Sequence, residues 1–143
     1  MISIIIEAAE NFLHNQIELK TSIEKELTTD MRTVIASIDV RMDDGKTKTV
    51  YLGFCEELIK KIVHVYLMDE ITDEETMRDM ALESTNMIVG SAKVLAEEEK
   101  KEHFLISTPI FKAIEEFKTC NCDELSVIKT DLGSLVISIQ QGS

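Results

Sequence analysis

Residues 33 to 42 read TVIASIDVRM, and every second position is apolar. Val34, Ala36, Ile38, Val40 and Met42 share one parity, a period that lines one face of a strand and no face of a helix. Asp44-Gly45 follows, and then KTKTVYLGF sets Val50, Leu52 and Phe54 on one side. Asp-Gly supplies the positive φ that a tight hairpin needs. A second pair, LSVIKT and SLVISIQ around Asp131-Leu132-Gly133, repeats the arrangement near the C-terminus. Strands joined by such short turns imply an antiparallel sheet, and their apolar face calls for a covering layer of helices.

The helices are legible too. Residues 3 to 19 bring Ile5, Ala9, Phe12, Leu13 and Gln16 near one stripe, and residues 55 to 69 do the same with Leu58, Ile59, Ile62, Val65 and Tyr66. Thr72 with Glu75 has the pattern of a capping box, opening a long helix that runs to about Lys101. A weak extended piece is expected at 21 to 28, and FLISTPIF (104 to 111) is extended, with Pro109 at a strand end, an edge or a bulge. The predicted fold is therefore α+β, a single domain over residues 1–143 with long helices packed on an antiparallel sheet. The first helix and the long helix are the natural pair on that sheet. Both ends read as a helix followed by a meander, consistent with a degenerate internal αβββ duplication.

Charge narrows the function. The net charge is −12, which argues against a nucleic acid, since phosphate binding rests on Lys and Arg displacing counterions. The apolar start MISIII has no preceding basic residue and is interrupted by Glu7 and Glu10, unlike a signal peptide. No run approaches the length of a membrane span, so a soluble, cytoplasmic protein without a membrane partner is expected. Cys55, Cys120 and Cys122 make an odd number, and Cys120-x-Cys122 is not zinc-ribbon spacing, even if His103 is added to it. Reduced thiols are the better reading, and no metal site is assigned. His14, His64 and His103 stand far apart with no nucleophile at suggestive spacing, so Ser-His-Asp or Cys-His catalysis has no support. Gly142-Ser143 fit a native end or an appended one equally well.

The long helix holds the one unusual stretch, DMALESTNMIVGSAK (79 to 93). At about 100° per residue, Met77, Met80, Ala81, Ser84, Ile88, Ala92 and Leu95 form the core stripe. Asp79, Glu83, Asn86, Gly90, Lys93 and Glu97 gather opposite, with Met87 and Val94 along one edge and Leu82 and Val89 along the other. Gly90 costs roughly 1 kcal/mol against Ala at an exposed helix position, and it leaves a notch where a partner can approach. A solvated face with an idle glycine is the plain alternative to an interaction face.

The joint spacing carries a family resemblance. Asp79, three residues, Glu83, two residues, Asn86, then 22 residues to Pro109 resembles the signature of the CheX-type chemotaxis phosphatases, relatives of CheC and the flagellar-switch phosphatases. The GFCEEL helix entry, NMIVGSAK, ISTPIF and the TDLGSLVISI hairpin are also similar to the family. The resemblance implies a CheC-like fold and removal of the phosphoryl group from the aspartate of a CheY-like receiver. It implies that Asn86 aligns a water on the acyl phosphate, Glu83 pairs with the receiver's active-site lysine, Asp79 and Gly90 belong to the partner-binding face, and Pro109 shapes the strand beneath the helix. It implies no cofactor beyond the Mg²⁺ of the receiver, and a homodimer. CheC-like relatives carry a second Glu-x-x-Asn on the first helix. Here that helix reads Glu7-Ala8-Ala9-Glu10, so one active site per chain is expected. The family often has a glycine shortly after the Pro segment, where this chain reads STPIFKAIEEF.

Three other readings compete: a receiver-binding adaptor without catalysis, a structural dimer module whose helix face is idle, and an acidic metal site at Asp73, Glu74 and Glu75. The presence of both Glu83 and Asn86 counts against the first, and Gly90 against the second. The acidic run already suits the positive end of a helix dipole, which weakens the third.

Overall fold

The computed structural model describes residues 1–25, 32–68, 73–117 and 123–141. Among them the elements are α1 (Ile2–Asn11), β1 (Ser22–Glu24), β2 (Arg32–Met42), β3 (Thr47–Cys55), α2 (Glu56–Leu67), α3 (Glu74–Leu95), β4 (Phe104–Ile106), β5 (Ile110–Glu116), β6 (Glu124–Thr130) and β7 (Gly133–Gln141). The fold is the expected α+β arrangement. The extended piece of 21 to 28 narrows to β1, its last three residues lying outside the described ones, as do Thr72, Cys120, Cys122, Gly142 and Ser143.

Both predicted hairpins form. Ala36 faces Leu52 and Ile38 faces Val50 across β2–β3, and Ile128 faces Leu135 across β6–β7. Gly45 and Gly133 supply the turns with φ of +86° and +124°. The strands run in the order β1–β6–β7–β3–β2, with β4 and β5 both pairing with the free edge of β2. Each hairpin thus receives a strand from the other half of the chain on its outer edge. That symmetry belongs to the arrangement and does not by itself establish a duplication.

The even-numbered residues of β2 and β3 do what their period dictates. Val34, Ile38, Leu52 and Phe54 are fully buried beneath the helices, together with Ile5 and Leu13 of the first helical segment and Ile59 and Ile62 of α2. Helix α1 packs along α3 as expected, and α2 packs against α3 as well. The opposite face departs from simple alternation. Ile35, Phe117, Val127 and Val136 form a smaller buried cluster there, with Tyr51 and Leu125 packed against it. Phe117 folds back from the end of β5 so that its ring lies on Gly53, where an added Cβ would meet Cδ2 at 2.5 Å and Thr33 Oγ1 at 3.1 Å. Gly53→Ala is therefore expected to displace Phe117 and destabilise the fold by about 1–3 kcal/mol, the cost of overpacking. Urea unfolding measures it, and a variant as stable as the wild type would refute this seating of Phe117.

Strand β5 was not foreseen beyond residue 111. Its KAIEE run carries no clean apolar period because it is an edge strand, where charges discourage unwanted pairing. It joins β2 across a register shift between Ile35 and Ala36.

Helix α3 begins differently from the capping-box expectation. Asp73 is the N-cap, its Oδ1 accepting the Thr76 N–H at 2.8 Å. This accounts for the acidic run: Asp73 caps, and Glu74 and Glu75 sit in the first turn where the dipole favours them. The hydrogen bond from Thr76 lowers the Asp73 pKa below its ordinary value. A carboxylate with a depressed folded-state pKa stabilises the fold above its unfolded pKa, and that contribution is lost as pH falls through the folded pKa. Asp73→Ala should lower the melting temperature at neutral pH, and the gap should close on acidification below about pH 4, the ordinary carboxylate range. A gap that persists in acid would show that the cap acts without its charge.

At their other ends both long helices run into a π-helical turn, Phe12–Gln16 after α1 and Ala96–Lys100 after α3. Each then closes on a left-handed residue, Glu18 at φ +63° and Lys101 at φ +56°. The next N–H donates back six residues, Leu19 to Leu13 and Glu102 to Ala96, one residue further than the bond of a Schellman cap, as the wider π turn requires. The long helical segment therefore ends at Lys101, as its sequence suggests.

Candidate functional site

Helix α3 turns one face to the sheet and the other outward. Met77, Met80, Ala81, Ser84, Ile88 and Ala92 are buried as the stripe predicts. Thr85 and Val89 are buried beside them, so Val89 is not an exposed shoulder of the polar face. Leu82 and Met87 are half-buried, and Val94 is 52% exposed. The broader stripe follows from helices on one side and β4–β5 on the other, which together close more of the surface than the sheet alone would.

Asp79, Glu83 and Asn86 are exposed on the outer face, with Gly90 half-exposed one turn further on. Asp79 Oδ1 lies 3.9 Å from Arg78 Nε, a surface pair of little energetic weight. Among the described residues, neither the ion pairs nor the side-chain hydrogen bonds include Glu83 or Asn86. An acid and an amide, at i and i+3 on a helix anchored by eight buried residues, are thus held in place with their polar ends unused.

Asn86 stands on a ridge between two depressions. One, of about 440 Å³, lies between Glu83 and Asn86 on α3 and Ser107, Thr108 and Pro109 in the break between β4 and β5. The spacing from Asn86 to Pro109 therefore has a spatial meaning: the proline lines the same depression as Glu83 and Asn86 and lies in the break immediately before β5 begins. It does not lie in a strand beneath the helix. Ser107 Oγ accepts the Asp39 N–H at 2.9 Å, and its own N–H donates to the Asp39 carbonyl at 3.0 Å, which pins this wall to β2.

The second depression, of about 560 Å³, lies between α3 and the first helical segment. Asn86, Gly90 and Val94 form one wall, and Asn11, Asn15 and Gln16 line the other. Gly90 opens into it, since a Cβ built there meets nothing within 4 Å apart from the helix's own backbone. The fold does not require a glycine at this position. Sequence reasoning missed Asn11 and Asn15, and it placed Gln16 in the core stripe, whereas the π-helical turn leaves it exposed. Glu10 has a local role: its Oε2 accepts the Thr21 hydroxyl at 2.7 Å, and the same hydroxyl lies 2.8 Å from His14 Nε2. That network ties the start of β1 to α1.

Among the described residues, no three His, Cys, Asp or Glu side chains converge as a metal would require, and no helix is long and apolar enough to cross a membrane. An amide and a carboxylate stand side by side on the outer face, where a second molecule can reach them.

The family described as "Chemotaxis phosphatase CheX" matches residues 34–131. The chain is similar in fold to chemotaxis protein CheX from Vibrio vulnificus, with 19% identity and a TM-score of 0.77 over 99% of this chain and 98% of that one. It is similar to a CheC-like superfamily protein from Shewanella sp. PV-4, with 23% identity and a TM-score of 0.73 over 99% and 97%. A chain of the CheX–CheY–BeF3–Mg²⁺ complex from Borrelia burgdorferi gives 16% identity and a TM-score of 0.71 over 99% and 97%. Among curated protein sequences, none matches.

Proposed function

The chain belongs to the CheX family of chemotaxis phosphatases, and we propose that it hydrolyses the phospho-aspartate of a CheY-like receiver by docking the outer face of α3 into the receiver's active site. The observation that carries this reading is the juxtaposition of Glu83 and Asn86, exposed on a rigid helix, unpartnered among the described residues, with open space on either side. The partner comes from the family and from the Borrelia burgdorferi complex of CheX with CheY.

Asn86 is the catalytic residue. Its amide accepts a hydrogen bond from a water and donates one to a phosphoryl oxygen, which aligns the water with the phosphorus. Being neutral, it approaches the anionic phosphoryl group without repulsion. Glu83, one turn away, pairs with the receiver's active-site lysine and fixes the docked geometry by a charge-assisted bond. Asp79 continues the same face, and Gly90 lets the receiver's backbone close on the helix. The electrophile and its Mg²⁺ belong to the receiver, so this chain supplies neither nucleophile nor metal. An acceleration of about 100-fold needs only ~2.7 kcal/mol, within reach of one well-aligned water. A homodimer and a cytoplasmic setting accompany this reading through the family.

Steady-state phosphate release tests it, with the CheY-type receiver of the same cell recharged continuously by a small-molecule phosphodonor. Catalytic amounts of the protein are expected to raise the release rate. Binding to the receiver without any rise would establish the adaptor in place of the enzyme.

A further inference from the structure

Resting on the docking reading above, we propose that the first helical segment, α1 with the π-helical turn that follows it, forms the second wall of the receiver site, with Asn11 and Asn15 hydrogen-bonding main-chain groups of the receiver beside its phosphorylated aspartate. These residues would select and hold the receiver without taking part in hydrolysis.

The geometry of the groove leads to this assignment. Asn86 lines the depression between α3 and the first helical segment, and Asn11 and Asn15 face it from the opposite wall. A partner that seats the Asn86 amide in its own active site therefore extends over this groove. Gly90 is open space within it, so the partner's chain can sink between the two walls. The docking surface is continuous with the catalytic one.

The chemistry of the walls names the class of contact. The chain carries a net charge of −12, yet among the described residues no Asp, Glu, Lys, Arg or His lines this groove. Its polar groups are amides and the hydroxyls of Ser91 and Tyr66, the Tyr66 hydroxyl donating to Gln16 Oε1 at 3.4 Å. An amide offers a donor and an acceptor together, which matches the N–H and C=O of a peptide segment and suits an isolated ion poorly. Around these amides lie Val94, 52% exposed, and Tyr66, 36% exposed. Tyr66 is stacked on Phe12 at 6.3 Å between ring centroids. That fixed apolar rim accepts the side chain of the same segment. A loop flanking the receiver's phosphorylation site, presenting backbone and an apolar residue, fits both features.

Nothing within the fold calls for the two asparagines. Both are exposed and absent from the side-chain hydrogen bonds of the described residues. Asn is a poorer helix former than the Ala, Glu or Lys that would otherwise serve. Asn15 also lies in the π-helical turn Phe12–Gln16, an irregularity found frequently at functional sites.

The test separates docking from chemistry. Wild type, Asn86→Ala and the double variant Asn11→Ala/Asn15→Ala are compared by affinity for the receiver activated with beryllofluoride and Mg²⁺, and by KM and maximal rate on the phosphorylated receiver. The double variant should fold normally, with an unchanged or higher melting temperature. It is expected to raise Kd and KM about tenfold, a factor set by a loss of two hydrogen bonds, while the maximal rate stays within about twofold of wild type. Unchanged Kd and KM in an active protein would overturn the α1 wall and leave the proposed function standing. A lost maximal rate at unchanged KM would also overturn it, since Asn11 or Asn15 would then serve the chemistry. A wild type that binds no receiver would overturn this inference and the proposed function together.

Discussion

Asn86→Ala is expected to remove most of the acceleration of receiver dephosphorylation, about 100-fold or more at saturating protein if one aligned water supplies the effect. The side chain is exposed and outside the side-chain hydrogen bonds of the described residues, so its removal leaves the fold intact. Alanine even favours the helix slightly. The loss should therefore fall on the maximal rate, with melting temperature unchanged and receiver affinity altered by only a few-fold. Asn86→Asp separates shape from polarity: it keeps the size and an acceptor, but it brings a negative charge toward the phosphoryl oxygens. It should be no better than alanine. An Asn86→Ala protein that retains wild-type rate would remove the amide from the mechanism.

The second large effect is a reversal of sign at Gly90. A Cβ there meets nothing within 4 Å, so Gly90→Ala relieves a poor helix residue without a clash and should stabilise the protein by about 0.5–1 kcal/mol. The same Cβ projects into the groove shared with Asn86. Gly90→Ala should weaken receiver docking modestly. Gly90→Leu, which fills the notch, should raise KM more than tenfold if the receiver's chain occupies that space, a change of about 1.4 kcal/mol or more. A structural glycine predicts the reverse: lower stability on substitution and no selective effect on docking. Chemical denaturation and KM measured on the same variants distinguish the two.

How far the sequence carries depends on the range of the interaction. The hairpins at Gly45 and Gly133 were legible because turn chemistry and a period of two are local, and the polar face of α3 because a helix sets the angle between Glu83 and Asn86 by itself. The assignment of that face to a receiver came from the spacing to Pro109 and its likeness to a family, since helix geometry names no substrate. What was not legible is tertiary. Phe117 covers Gly53 from a strand end far away in sequence, and an alternating strand carries no sign that its second face will be covered. Asn11 and Asn15 look like solvated residues until α1 is laid along α3 and they come to face Asn86 across a groove. Pro109 gave a correct distance along the chain but not its place beside Glu83, because the break at Ser107–Pro109 depends on Asp39 holding the loop to β2.

Hastened hydrolysis of a phosphorylated receiver, as opposed to binding alone, is what distinguishes an enzyme from an adaptor here. A single-turnover experiment reaches it directly: the CheY-type receiver of the same cell is phosphorylated, freed of phosphodonor, kept in Mg²⁺ and mixed with excess protein while its phosphoryl group is followed. The decay rate should rise with protein concentration to a plateau well above the receiver's own rate. A decay identical with and without the protein, at concentrations where binding is complete, would contradict the account.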